Sequence, residues 1–233
     1  MPMRAWARFG LLAAALLLSA CATAPRSTLP SDAPAIELAE VPFFPQEDYH
    51  CGPAALAEVL QWTGVDVTPE ALAPRLMIPA RLGTLQIELL AQTRAQGRVP
   101  YEIPGDLGAV YRELAAGRPV LILQNLALDW SPMWHYAVVI GMDPAARTVI
   151  LRSGRERRKV VDAAVFERTW ARSDKWAMVA LPPDELPVAA EPAQALQAAI
   201  ALEQLGRLPM AEALYRVAAQ RWPDQAIFQL GHA

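Results

Sequence analysis

Two textures follow one another in this chain, and their order limits the folds open to it. From residue 51 to residue 117 the apolar residues recur at helical spacing; from residue 119 to about 181 they fall into short β-branched runs. After Cys51-Gly52-Pro53, the positions Leu56, Val59, Leu60 and Thr63 mark one helical face, and Gly64 stops it. Thr68-Pro69-Glu70 reads as an N-cap with proline in the first turn. Thr84 opens a further helix over 85–96, and residues 107–116 form one more, stopped by Gly117. The runs that begin at Pro119, His135, Arg147 and Lys159 then read as strands, with Trp176–Leu181 as the last; Asp143-Pro144-Ala145-Ala146 is a turn between two of them. Helices first and an antiparallel sheet second is an α+β arrangement.

What lies on either side of this domain has its own character. Residues 1–20 carry Arg4 and Arg8 and then an apolar run, Leu11–Ala20, which suits the core of a signal peptide and is too short to span a bilayer of about 30 Å. The run ends Leu18-Ser19-Ala20-Cys21, which resembles the bacterial lipobox and implies cleavage before Cys21 and attachment of lipid to it; an ordinary secretory signal containing a cysteine is the alternative. Residues 21–40 are small, polar and proline-rich and read as a lipidated flexible tether. A Pro-rich stretch, 182–192, separates the domain over 41–181 from a helical tail over 193–233. That tail reads as two helices, about 193–205 and 209–221, broken at Gly206. Gly206, Ala211, Tyr215, Ala218 and Pro223 fall at the spacing of a tetratricopeptide unit, which the tail resembles; a plain helical hairpin is the alternative. One repeat cannot bury its own face, so it must pack on the domain, a partner or a copy of itself.

Composition excludes several classes of function. A chain of 233 residues that is 54% hydrophobic is not intrinsically disordered, and a net charge of −3 offers no basic face for nucleic acid. Two cysteines and three histidines are too few for a Cys/His zinc cage, and no cofactor is expected. If Cys21 carries lipid, Cys51 is the only thiol of an exported protein and has no disulfide partner in the chain.

The neighbours of Cys51 suggest what that thiol does. At the first turn of a helix it sits in the positive end of the dipole, which is expected to lower its pKa and favour the thiolate. Gln46, five residues upstream, carries an amide that could join the Cys51 N–H in an oxyanion hole. A thiol nucleophile also needs a base. His232 lies in the tail and His50 is adjacent to Cys51, where neighbouring side chains point apart; His135, at the head of an apolar strand, remains. Taken alone it would read as a strand-edge histidine bonded to backbone. Trp130 and Trp134 flank the loop before it and read equally as walls of a substrate groove or as core; the basic run at Arg155, Arg157, Arg158 and Lys159 reads as a solvated edge.

Three segments carry a family resemblance. Gln46-Glu-Asp-Tyr-His-Cys51-Gly-Pro-Ala-Ala-Leu56, then Leu114-Ala-Ala-Gly-Arg-Pro-Val-Leu-Ile-Leu123, then His135-Tyr-Ala-Val-Val-Ile-Gly-Met-Asp143 resemble the bacteriocin-processing cysteine peptidases, which cut peptide leaders after a double glycine. The resemblance spans about residues 41–181. It implies a papain-like cysteine peptidase fold acting on a peptide or protein substrate, with Cys51 as nucleophile, His135 as base and Gln46 as oxyanion donor. Two departures stand out. The family's glutamine usually precedes the cysteine by six residues, and here the gap is five. Its histidine-orienting aspartate, in an Asp-Pro pair, is replaced by Leu151-Arg152-Ser153-Gly154, which makes Ser153 the candidate third member. Asp143 and Asp129 are the nearby acids, and Asp143 before Pro144 reads as a turn residue.

The resulting expectation is a cysteine peptidase held by lipid to the cell envelope, at the outer membrane facing the periplasm, with the tail available to a protein partner. A catalytically weak or inactive peptidase fold acting as an adaptor is the competing reading, and the absent aspartate is its support. A cell-wall amidase is a third, disfavoured because the Asp-Cys-Ser setting usual for it does not occur around Cys51. Cys21→Ser should move the protein from the membrane to the soluble fraction and end incorporation of radiolabelled lipid, which fractionation of labelled cells would read.

Overall fold

The computed structural model describes residues 32–45, 51–78 and 83–231. Residues 1–20, expected to be a signal peptide, and Cys21, Gln46, His50 and His232 fall outside them.

Among the described residues, seven strands form one antiparallel sheet. They are β1 (Ile36–Glu37), β2 (Val99–Glu102), β3 (Val120–Asn125), β4 (Trp134–Asp143), β5 (Thr148–Ser153), β6 (Glu156–Asp162) and β7 (Ala177–Leu181). Their order is β2-β7-β3-β4-β5-β6, with β1 paired to the end of β4. The long β4 lies between β3 and β5, with Gln124 opposite His135 and Arg152 opposite Val138.

Side chains alternate along a strand, and here both sets are buried. Leu121, Leu123, Tyr136, Val138 and Ile140 face a layer made of α1 (Cys51–Trp62), α2 (Pro69–Leu76) and α3 (Gln86–Ala95), through Leu56, Leu60, Leu72, Leu76 and Leu89. Val120, Ile122, Ala137 and Val139 face the opposite layer, which holds α4 (Leu107–Ala115) and α5 (Ala163–Ala171). With both faces covered, the central strands read as unbroken apolar runs, so their alternation is hidden in the sequence.

Local signals explain most boundaries. Thr68 Oγ1 accepts the Ala71 N–H at the start of α2, and Asp106 Oδ1 accepts the Ala109 N–H at the start of α4. Thr84 departs from expectation. Helix α3 begins at Gln86 after a Leu85 that makes no side-chain cap, and the Thr84 hydroxyl turns to Met77 Sδ. Besides β1, two elements were not foreseen. Strand β2 contains Pro100, which reads as a breaker, and α5 is a nine-residue helix capped by Asp162, whose carboxylate accepts the Ala164 and Val165 N–H groups.

The segment 33–40, expected to belong to the tether, is instead docked. Ile36 and Glu37 pair with Met142 and Gly141, the Leu38 N–H bonds to the Ile140 carbonyl at 2.7 Å, and the Tyr111 hydroxyl bonds to the Pro34 carbonyl at 2.9 Å. The ordered domain therefore starts before residue 41.

The tail shares the core of the sheet. It consists of α6 (Pro192–Gln204), α7 (Leu208–Arg221) and α8 (Ala226–Gly231), with Gly206 at φ +67° turning the chain between the first two. Ala199, Leu202, Leu214, Tyr215 and Phe228 belong to the same apolar cluster as Val139, Leu151 and Trp170. The Pro-rich stretch before it is tied down as well. Arg118 donates to the Leu186 carbonyl and pairs with Glu113 and Glu185, Glu113 accepts the Val188 N–H, and Arg221 donates to the carbonyls of Pro187 and Val188. No described helix is long and apolar enough to cross a membrane.

A core common to sheet and tail should melt as one unit. Leu202→Ala, at a fully buried position, should cost about 2–5 kcal/mol in urea titrations and leave a single transition by circular dichroism and by exposure of Cys51. Separate loss of the helical tail ahead of the sheet would contradict a common core.

Candidate active site

Cys51 is the first residue of α1, where backbone N–H groups lack helical partners. Its sulfur lies within reach of three N–H groups: its own, that of Gly52 and that of Tyr136 on β4. The thiol therefore meets the strand at its backbone, one residue beyond His135.

Gly52 allows this approach. A Cβ there would lie 2.6 Å from Thr84 Oγ1 and 2.7 Å from Thr84 Cβ, so only glycine lets the start of α1 close onto Thr84. From the other side the Tyr136 hydroxyl donates to the Thr84 carbonyl at 3.2 Å, and the Tyr136 ring stands edge-on to Trp176 with centroids 6.0 Å apart. Thr84 thus links the helix carrying Cys51 to the strand residue that faces the thiol.

His135 is held from the neighbouring strand. The β4–β5 register, with Val138 opposite Arg152, leaves Ser153 diagonal to His135. Ser153 Oγ lies 2.9 Å from His135 Nε2. The two acids considered beside it are engaged elsewhere. Asp143 Oδ1 accepts the Ala146 N–H in the β4–β5 turn, and Asp129 lies 3.9 Å from the Arg172 guanidinium.

The electrostatics differ from the expectation of an acidic cysteine. Burial pushes the Cys51 thiol above its ordinary value, and the three N–H groups offset this only in part. Burial also lowers His135 to about 4, with the Lys159 ammonium acting in the same direction. Both groups are therefore neutral near pH 7. The helix-start position supplies N–H donors to the sulfur, but desolvation outweighs them.

Two buried residues that the sequence did not single out stake down the segment leading to the site. Arg152, 2% exposed, donates to the Val41 carbonyl from Nε at 3.1 Å and to the carbonyls of Val41 and Ala39 from Nη2, and it also reaches the Arg157 carbonyl. Glu58, on α1 and fully buried, accepts the Phe44 N–H at 3.1 Å while its Oε2 has no partner. Burial raises Glu58 to about 8, so it is protonated at neutral pH. The signal for Glu58 was present: it is the one acid in an otherwise apolar helix running from Gly52 to Leu60. Arg152 gave none, because a strand arginine ordinarily reads as solvated.

The family model described as the Peptidase_C39 like family matches residues 38–178, the segment that holds Cys51, His135 and Ser153. The chain belongs to this family. At family level it is a cysteine peptidase, a hydrolase. The crystal structure of a C39-like peptidase from Bacillus anthracis is similar at 20% identity and a TM-score of 0.52, covering 64% of this chain and 98% of that one. This likeness shows the fold. The peptidase domain of Streptococcus ComA, a bifunctional ABC transporter of a quorum-sensing pathway, matches at 19% identity, 61% of this chain, 99% of that one and a TM-score of 0.47. A double glycine motif protease from an AMS/PCAT transporter, in complex with its leader peptide, matches at 19% identity, 62% of this chain, 93% of that one and the same TM-score. No curated protein sequence matches the chain.

A neutral thiol has a distinct reactivity signature. In the Cys21→Ser chain, where Cys51 is the sole thiol, the rate of iodoacetamide alkylation should keep rising through the ordinary thiol range of about 8.5 and show no plateau below pH 7. Such a plateau would mean a preformed thiolate.

Proposed function

We propose that this C39-like chain is a thiol peptidase in which Cys51 attacks the peptide carbonyl, His135 is the base and Ser153 orients the imidazole. The observation that carries the reading is the His135 Nε2–Ser153 Oγ contact at 2.9 Å, made while the Cys51 sulfur faces the N–H of the residue next to His135. With Nε2–H donated to Ser153, the lone pair of Nδ1 is the one left for the thiol. As sulfur attacks, the Cys51 proton passes to Nδ1. The carbonyl oxygen gathers charge beside the Cys51 N–H, with the Gln46 amide as the second donor. The imidazolium then protonates the leaving amine, a thioester remains on Cys51, and water activated by His135 hydrolyses it.

Ser153 accepts a hydrogen bond but supplies no charge to the imidazolium. In an analogous serine triad, loss of the orienting carboxylate costs about 10⁴-fold in rate. A weakly active or inactive fold acting as an adaptor is therefore the second reading, favoured by the serine in place of an acid and by two groups that are both neutral at rest. We further propose a lipid anchor at Cys21, an outer-membrane position facing the periplasm, and a tetratricopeptide-like tail that presents its outer face to a protein partner.

Variants at position 153 separate the two readings. A protonated imidazole cannot take the thiol proton, so activity falls as pH drops through the pKa of His135. For the native chain the acidic limb of kcat/KM on a quenched peptide pool should lie near pH 4. Ser153→Asp should move that limb upward, toward or past the ordinary histidine value of about 6.5, and raise kcat/KM by about tenfold or more. Ser153→Ala should lower kcat/KM severalfold, and His135→Ala should abolish it. If the native chain shows no turnover above that of His135→Ala and Cys51→Ala, the adaptor reading stands in place of the peptidase.

A further inference from the structure

The basic run that opens β6 is interrupted by a change of register. Directly opposite residues of paired strands share a face of the sheet, so Val139, Leu151 and Lys159 form one row across β4, β5 and β6. Ser153 lies on the same face as Leu151 and pairs with Glu156. Between these two pairs β5 advances from 151 to 153, while β6 needs 156 to 159. The extra residue is a β-bulge, a device that re-aims side chains beside functional sites. It turns both Glu156 and Lys159 to the face of Ser153, which is also the face of His135, Ala137 and Val139 on β4.

The bulge gives the cations of the run different tasks. Arg158 is taken up by Glu37 of β1, through two guanidinium nitrogens at 2.8 and 2.9 Å. Arg157 lends its carbonyl to the Arg152 guanidinium, which ties down the bulge itself. Lys159 is the cation of the run whose charge reaches the candidate site: its ammonium stands close enough to His135 to oppose protonation of the imidazole. Its Nζ meets Glu156 Oε1 at 2.9 Å, with side chains 40% and 59% exposed. An ion pair this open to water is weak. An ammonium carries three N–H donors, so Lys159 can receive a second carboxylate beside Glu156.

The order of the reaction says which part of a substrate comes here. In the proposed mechanism His135 protonates the leaving amine, so groups beyond the imidazole, away from the sulfur, meet the segment that departs with that amine. Strand β6 is two strands from β4, about 10 Å across the sheet, or about three residues of extended peptide. We propose that Lys159 is a specificity-determining residue, pairing with an Asp or Glu side chain of the substrate within about three residues on the amine side of the scissile bond. The proposal rests on the peptidase reading. A carboxylate so placed also offsets the charge that opposes the imidazolium, so one contact favours both binding and proton transfer. Glu156 steers the ammonium in the free protein and repels the incoming acid, which limits the selectivity of the native chain.

The test uses the full-length chain and two assays. In the first, a proteome-derived peptide library is digested and mass spectrometry reads the residues on the amine side of each cut. Asp and Glu should be enriched by about threefold or more within about three positions, and less so as salt is raised. Lys159→Glu should exchange that preference for Lys and Arg, a gain that misfolding cannot mimic, and Glu156→Gln should sharpen the preference for acids. In the second, fluorescence anisotropy measures binding of labelled acidic and basic library peptides to the Cys51→Ala chain, with and without Lys159→Glu. Binding that follows the charge at position 159, with no cleavage by the native chain, would uphold the role of Lys159 and sink the peptidase reading. Cleavage without an acidic preference, or with one that survives Lys159→Glu, would overturn the proposal and leave the peptidase reading standing. An acidic preference that survives Lys159→Glu and is lost with Arg155→Ala and Arg157→Ala would move the contact to those arginines. Neither cleavage nor charge-dependent binding would overturn both readings.

Discussion

Burial of β4 on both faces governs the rest of the molecule. Tyr136, Val138 and Ile140 lock it against the helices on one side, Ala137 and Val139 against those on the other, and β3 and β5 flank it. A strand held in this way cannot slip register without moving a whole face of side chains into the wrong layer. Its first residues inherit that rigidity, so His135 and the Tyr136 N–H are presented at a fixed edge. The same register puts the last two residues of β5 to opposite uses: Arg152 clamps the carbonyls of Ala39 and Val41, and Ser153 holds the imidazole.

What could be read from the residues alone were features with a local cause. The start of α1 at Cys51-Gly52-Pro53, the Thr68 cap and the apolar runs of β3, β4, β5 and β7 are each written within a few positions. The pairing of His135 with Ser153 came instead from the family resemblance, through the position its orienting aspartate holds, and the structure brings the two side chains together. Features with a distant cause were hidden. Thr84 resembles a cap until Gly52 and Tyr136 are brought beside it. Residues 33–40 look like tether until β4 offers them a free edge. Pro100 can sit in β2 because, among the described residues, that strand lies at the sheet margin and pairs only with β7. The acidity of Cys51 was misjudged for a related reason: the dipole of α1 is visible in sequence, whereas the desolvation opposing it belongs to the assembled site.

A thiol and an imidazole that are both neutral at rest alter how a thiol site would meet its energetic demands. A preformed ion pair has its charge separated before substrate arrives. In the proposed mechanism separation would occur during attack, in surroundings that disfavour both ions. Catalytic power then depends on how well backbone N–H groups and Ser153 receive charge as it develops, which makes their geometry more decisive than the resting acidity of either partner.

The common core of sheet and tail bears on how the molecule comes into being. A chain made from its amino end carries Cys51, His135 and Ser153 long before Leu214, Tyr215 and Phe228, yet those late residues close part of one sheet face. Until they emerge, the nascent sheet keeps an open apolar flank, the kind of surface that draws chaperones or aggregates. That face of the sheet therefore closes only after α7 and α8 join it, behind candidate site residues placed much earlier in the chain.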